Sequence, residues 1–252
     1  MKAVIPAAGQ GNRMRPFTHT IAKELAPVAG TPAIQHVVEE AVQAGITEIV
    51  VVIAPDKTEI VEHLTHEDIA PSAEFQFVIQ REPRGLGDAI LQARPAITGD
   101  AFAVLYPDNL VLADQPAIGQ LVDLHREFEA PVTHVVEKPD NEIGAYSAID
   151  ATEEREGLYR VHDMVEKPDS GQARSNLAPI GRHVLDRAVL DELETTEPGH
   201  GDEIQLTDAM AACARQRAQY AMRLEGQRLD VGNPAGFAEA NAFLQERRRS
   251  SR

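Results

Sequence analysis

Several short stretches of this chain gather residue types that could do chemistry, and the first lies almost at its start. Ala3-Val4-Ile5-Pro6 is an apolar run that breaks into Ala7-Ala8-Gly9-Gln10-Gly11, a turn with little side-chain bulk, followed by Arg13 and Arg15. Small residues let backbone N–H groups approach an anion closely, and glycine can adopt the positive φ that turns those groups inward. The guanidinium of Arg13 adds a planar fork that matches phosphate oxygens. The stretch reads as a loop holding a polyphosphate through Ala8, Gly9 and Gly11. No Gly-Lys-Ser/Thr follows, so it is not a Walker loop, and Met14 stands where the dinucleotide fingerprint needs a third small residue. Gly-x-Gly after a strand is, in many proteins, only a tight turn.

Further along, Gln80-Arg81-Glu82-Pro83-Arg84-Gly85-Leu86-Gly87 follows a strand-like run. Gly85 and Gly87 open a helix whose free N–H groups suit an anion or a planar base. The carboxamide of Gln80 offers a donor and an acceptor to the edge of a pyrimidine; the plain alternative is a surface glutamine at a strand–helix joint. Asp108, in Leu105-Tyr106-Pro107-Asp108-Asn109, and Asp230, in Leu229-Asp230-Val231-Gly232-Asn233-Pro234, each place a carboxylate at the end of an apolar run. Two such hard oxygen ligands, completed by phosphates and waters, are how Mg²⁺ is held at a nucleotide. Either aspartate alone could equally start a turn or cap a helix. Val-Glu-Lys-Pro occurs twice, at Val136–Pro139 and Val165–Pro168.

The elements that must position these groups alternate between strand and helix patterns. Pro32 at a first helical position after Thr31, with apolar Ile34, Val37, Val38, Ala41 and Val42, predicts a helix ended by Gly45. Glu48–Ile53 reads as a strand buried on both faces. A helix over Asp56–Leu64, a strand Glu74–Ile79, a helix Leu86–Ala93, a strand Ala101–Tyr106 and a helix Ala117–Phe128 continue the series. The second half predicts strands at Val132–Val136, Ala145–Asp150, Leu158–Glu166 and Asn176–Ile180, and helices at Arg182–Leu193, Ile204–Arg217 and Pro234–Glu246. This βαβ alternation predicts a doubly wound α/β sheet with ligands at the carboxyl ends of its strands. With no internal repeat or long linker, 1–252 is expected to be one domain of two lobes, 1–130 and 131–246. The basic stretch 247–252 is expected to fray.

Composition narrows the partners. A formal net charge of −16 argues against nonspecific binding to nucleic acid or anionic membrane. Lysine is scarce beside arginine, a pattern that a high-salt cytoplasm and a GC-rich genome explain equally. A single cysteine, Cys213, excludes an internal disulfide or a multi-cysteine metal site. No apolar run approaches a membrane span, and the first strand begins too early for a signal peptide, so a cytoplasmic protein is expected.

The loop continues into Met14-Arg15-Pro16-Phe17-Thr18 and then Lys23-Glu24-Leu25-Ala26-Pro27-Val28. Together these resemble the signature of the sugar-1-phosphate nucleotidyltransferases, with the greatest likeness to the bacterial UTP–glucose-1-phosphate uridylyltransferase branch. Gly201-Asp202-Glu203-Ile204-Gln205-Leu206-Thr207-Asp208 is nearly identical to a segment of that branch, and the likeness runs in order from Lys2 to about Phe243. The resemblance implies a Rossmann-like mixed sheet flanked by helices, without a C-terminal β-helix. It implies Mg²⁺ on Asp108 and Asp230, Arg13 on the leaving pyrophosphate, Lys23 on the triphosphate, and Gln80 and Gly85 at the base. Since Ser175-Asn176-Leu177-Ala178 follows the second Val-Glu-Lys-Pro, it also implies Lys167 on the sugar phosphate, and Glu166, Ser147 and Asn176 at the sugar. Glu137 and Lys138 of the first copy are expected in a solvated turn.

The implied reaction joins UTP and a sugar 1-phosphate, foremost glucose 1-phosphate, to give UDP-sugar and pyrophosphate. Such an enzyme would take only small-molecule substrates, and the sequence leaves a homo-oligomer open. His19 in place of a lysine and Ser147 in place of a glycine depart from the branch and bear on sugar choice. A thymidylyltransferase using dTTP and a non-catalytic nucleotide-sensing relative are the alternatives. An NAD-dependent oxidoreductase is disfavoured by the failed fingerprint.

Overall fold

Apolar, β-branched runs such as Ile49-Val50-Val51-Val52-Ile53 bury both faces of a strand, and in this computed structural model they form the centre of a nine-stranded sheet. The structure describes residues 1–169 and 171–250. The first half contains β1 (Lys2–Pro6), the short β2 (Pro27–Val28) and β3 (Thr31–Pro32), α1 (Ala33–Gln43), β4 (Glu48–Ile53), α2 (Thr58–Leu64), β5 (Glu74–Ile79), α3 (Leu86–Gln92), β6 (Ala101–Leu105), β7 (Asn109–Leu112) and α4 (Ala117–Phe128). The second contains β8 (Val132–Glu137), β9 (Ala148–Arg155), β10 (Leu158–Val165), β11 (Leu177–Asp186), α5 (Arg187–Thr195), α6 (Leu206–Gln216), β12 (Tyr220–Arg223), β13 (Gln227–Asp230) and α7 (Pro234–Ser250).

The sheet order is β5-β4-β1-β6-β11-β8-β12-β10-β9. Strands β5, β4, β1 and β6 are parallel, as βαβ crossovers require. Beyond them β11 runs antiparallel to both β6 and β8, which makes the sheet mixed. Helices cover both faces. Val4 and Val104 point into a core shared with Ile90, Leu190 and Met210, whereas Ile5 and Leu105 point into one with Ile34, Val37 and Leu121. That alternation along β1 and β6 is the period-2 geometry of a strand covered on both sides. The α/β class and the mixed, helix-flanked sheet expected from the sequence are present, and no β-helix occurs among the described residues.

Several local readings change. Thr31 does not cap α1, and Pro32 is its N-cap residue rather than its first helical one; the two pair with Val28 and Pro27 in a two-residue hairpin. The helix expected from Arg182 begins only at Arg187, because Arg182–Asp186 continue β11 and pair with β6. Strands β7, β12 and β13 are too short to register as periodic runs. Helix α7 runs through Ser250, so Arg247, Arg248 and Arg249 are helical rather than frayed, and Arg248 donates to the carbonyl of Ala29. Of the expected tail, 251 and 252 lie outside the described residues.

Candidate active site

The glycine loop leaves β1 at the carboxyl edge of the parallel strands. Its first residue keeps the sheet pattern, Ala7 N–H donating to Val52 O at 2.7 Å. Lys57 then holds it from behind: Nζ donates to Ala7 O at 2.8 Å, Gly9 O at 2.6 Å and Glu24 Oε2 at 2.8 Å. In a trans peptide the N–H points opposite the C=O, so pinning these carbonyls leaves the N–H groups of Ala8 and Gln10 facing away from Lys57. Gly11 has φ +67°, and a Cβ there would lie 2.9 Å from Thr18 Cγ2, so only glycine fits. Arg13 follows on a single 3-10 turn with its side chain in solvent reach.

Asp108 stands in the turn between β6 and β7, and Lys23 Nζ lies 2.6 Å from its Oδ2. Burial alone would raise the Asp108 carboxyl, but the Lys23 ammonium outweighs it and holds the group down at about 2. Burial likewise works to lower Lys23, and Asp108 and Glu24 outweigh it to hold the ammonium above its usual value. Both groups are charged at neutral pH. Strand β13 runs antiparallel to β7 with Asp230 opposite Asn109, and Val231 N–H donates to Asp108 O at 2.9 Å, so the two aspartates are neighbours. A Cβ on Gly232 would lie 3.0 Å from Asp108 Oδ2 and 3.3 Å from Arg13 Nη2, so that cation and that carboxylate converge over a bare backbone.

Two facing carboxylates with no cation between them would repel each other. The structure gives each its own counter-cation instead. Asp230 Oδ2 accepts from Arg228 Nη2 at 3.0 Å, and its Oδ1 from Gly232 N–H at 3.0 Å. Arg228 Nε donates to Asn109 Oδ1 at 2.5 Å, whose Nδ2 donates to Asp108 Oδ1 at 3.0 Å, linking both acids through one relay. Among the described residues no group of three or more His, Cys, Asp or Glu could hold a metal. Two neighbouring carboxylates are what the chain offers, a set that fits Mg²⁺ provided phosphate oxygens and waters complete it.

On the base side, Gln80 is buried at the end of β5. Its Nε2 donates to Gly85 O at 3.0 Å and Asp88 Oδ2 at 2.7 Å, so both amide protons are used within the protein. The carboxamide therefore has only its carbonyl Oε1 left to offer, not the donor–acceptor pair expected from sequence. Gly85 has φ +106°, and a Cβ would lie 2.7 Å from Glu203 Cβ; Gly87 N–H donates to Ile204 O at 2.8 Å. The Gly201–Asp208 segment thus forms one wall of the base loop.

Glu166, expected at the sugar, accepts through Oε2 from Ser147 Oγ and from Thr207 Oγ1. Lys167 Nζ lies 3.6 Å from Glu166 Oε1, and its N–H donates to Tyr146 O at 3.1 Å. Ser147, Glu166 and Lys167 are brought together as expected. Asn176 is not: it is exposed and its Nδ2 reaches Asp140 Oδ1 at 2.5 Å. Lys138, expected in a solvated turn, lies 4.5 Å above the Tyr146 ring while Arg228 lies 5.7 Å from it, so this segment joins the site too. Glu137 does face the rim, paired with Arg223.

Sequence reasoning missed Lys57, Glu24, Asn109, Arg228 and Thr207. Arg228 carried a signal, since it precedes Asp230 by two residues on a strand and so shares its face. Thr207 lay within a motif singled out for its likeness but given no chemistry.

Residues 2–247 match the family model for nucleotidyl transferases. The chain is 39% identical over 258 residues to the UTP–glucose-1-phosphate uridylyltransferase of Staphylococcus epidermidis, covering 94% of this chain and 90% of that one. It is also similar to the crystal structure of UDP-glucose pyrophosphorylase complexed with UDP-glucose (TM-score 0.93, 33% identity, 98% of both chains). A UTP-bound structure of the corresponding enzyme from Acinetobacter baumannii matches with a TM-score of 0.86 at 31% identity, over 96% of this chain and 92% of that one.

Proposed function

This chain belongs to the nucleotidyl transferase family, and on that premise we propose that it transfers the uridylyl group of UTP to glucose 1-phosphate, giving UDP-glucose and pyrophosphate. The observation that carries the reading is the meeting of Arg13, Lys23 and Asp108, with Asp230 alongside, at the open end of the glycine loop. A phosphate oxygen of the sugar attacks the α-phosphorus in line and pyrophosphate leaves. That nucleophile is already an anion, so no general base is needed; the protein must align two anions and offset their charge.

The residues divide that work. The N–H groups of Ala8 and Gln10, in a loop that Gly9 and Gly11 keep free of side chains, and the guanidinium of Arg13 receive the β- and γ-phosphates, and Gln80 Oε1 accepts from the uracil N3–H beside Gly85. Lys167 holds the sugar phosphate and Glu166 a sugar hydroxyl. Asp108 and Asp230 would hold Mg²⁺, which when bound stabilises the charge that develops around the α-phosphate. Lys23 moves from Asp108 to the incoming triphosphate, which keeps both charges paired and frees Asp108 Oδ2. Among the described residues no helix is long and apolar enough to cross a membrane.

A pyrophosphate-release screen across UTP, dTTP and ATP with a panel of sugar 1-phosphates tests the reading. The expected result is release with UTP and glucose 1-phosphate that stops on adding EDTA. Equal turnover of ATP and UTP would sink it.

A further inference from the structure

Glu166 carries two protein hydroxyls on a single oxygen. Thr207, in the first turn of α6, donates to Oε2 at 2.9 Å, Ser147 donates to the same Oε2, and the two hydroxyl oxygens lie 3.0 Å apart. Each hydroxyl has one proton and two lone pairs. With both protons directed to Oε2, that oxygen has no acceptor capacity left, and Oε1, facing the Lys167 ammonium, is the one carboxylate oxygen open to a substrate. Burial, and then the charge of Glu166, raises the carboxyl of Asp208 above its ordinary value.

A carboxylate with both oxygens free accepts from two adjacent sugar hydroxyls. Here the second of those hydroxyls meets Ser147 Oγ, which is neutral and, its proton being committed, can only accept. Hydrogen bonds to a neutral acceptor contribute less than those to a charged one. Resting on the functional reading above, we propose that Ser147 and Thr207 are specificity-determining residues. They confine charged recognition by Glu166 to one sugar hydroxyl and relax it at the neighbour, so the site takes hexose 1-phosphates that differ at that second position. The Gly201–Asp208 segment thereby reads the sugar through Thr207 while walling the base loop through Ile204.

The test compares kcat/KM for UTP-dependent pyrophosphate release with glucose 1-phosphate and with its 2-, 3-, 4- and 6-deoxy analogues. In the wild type, one deoxygenation should cost about tenfold or more and its neighbour no more than about threefold. Ser147→Ala and Thr207→Val each return a lone pair to Oε2, so the smaller penalty should grow to about tenfold, while Thr207→Ser keeps the wild-type profile. Variants that use glucose 1-phosphate but show an unchanged deoxy profile overturn this inference and leave the functional reading standing. Absence of pyrophosphate release by the wild type with every sugar 1-phosphate overturns both.

Discussion

Asp108 is the residue on which chemistry and stability meet. Its ammonium partner is only slightly exposed, 16% for each side chain, so Asp108→Asn removes a charge and leaves Lys23 only the more distant Glu24, at 3.9 Å. The kcat is expected to fall by about two to three orders of magnitude, roughly 3–4 kcal/mol of barrier for one positioned electrostatic group. Thermal unfolding should also report a loss of about 1–3 kcal/mol, the cost to a partly buried charge of losing its 2.6 Å partner. Two repelling carboxylates would predict the opposite sign, a variant more stable than wild type, so the melting temperature separates the two pictures. Gln80→Ala removes Oε1 from the ligand and Nε2 from Asp88, which keeps its hydrogen bond from Gln92. Its kcat/KM for UTP should drop by about 1–3 kcal/mol with kcat less affected. Unchanged UTP kinetics would take Gln80 out of the base site.

At the scale of elements, two buried cations hold the loops in place from behind. Lys57, just ahead of α2, fastens the glycine loop to β4 and to Glu24, whose side chain is fully buried. Arg182 on β11 is wholly buried, pairs with both oxygens of Glu40 on α1, and donates to Tyr106 O at 3.2 Å and Asn109 O at 2.7 Å. It thus fixes both ends of the turn carrying Asp108. Lys57→Met keeps the aliphatic stem but abandons Glu24, an expected loss of about 3–5 kcal/mol in urea unfolding. Adding Glu24→Gln should recover part of that loss, since the buried partner then carries no charge for the distant Lys23 alone to offset. The same variants should raise KM for UTP, because the loop carbonyls lose their anchor. A double variant no more stable than Lys57→Met alone would show that the pair is not the unit proposed.

Across the molecule, the sheet buries two neutral histidines that make stability depend on pH. Burial holds His134 down at about 4, and burial with the nearby Arg182 guanidinium holds His183 at about 3. In the unfolded chain both titrate near the ordinary value of 6.5. Above that pH neither state binds the protons and the histidines contribute no slope. As pH falls from 6.5 toward 4 the unfolded chain binds them first, so folding weakens by up to about 1.4 kcal/mol per pH unit for each histidine. Asp108 adds a further loss between its ordinary 3.8 and about 2, as its paired carboxylate is protonated. Surface carboxylates of this chain, formally at −16, work the other way, because protonating them relieves repulsion. The histidine contribution is therefore read as a difference: His183→Gln should flatten the urea midpoint between pH 6.5 and 4 relative to wild type. Parallel curves would show that His183 is not buried neutral.

What the sequence determined by itself is what local pattern encodes. Glu48–Ile53 and Glu74–Ile79 appear as read, because six-residue runs of β-branched and aromatic residues have one good fate in a covered sheet. The glycine loop, Arg13, Asp108 and Asp230 stood out because small residues and charges at strand ends leave marks in sequence, and the structure brings them together. Tertiary structure alone decided which charge faces which. Lys23 with Asp108, Arg182 with Glu40 and Lys57 with Glu24 are partners far apart along the chain, and no periodicity relates them. It also turned Arg182–Asp186 from helix to strand, because pairing with β6 and β8 and a buried ion pair outweigh local helix propensity. The relay through Arg228 and Asn109, and the loading of Glu166 by Ser147 and Thr207, exist only where separate strands and a helix end meet.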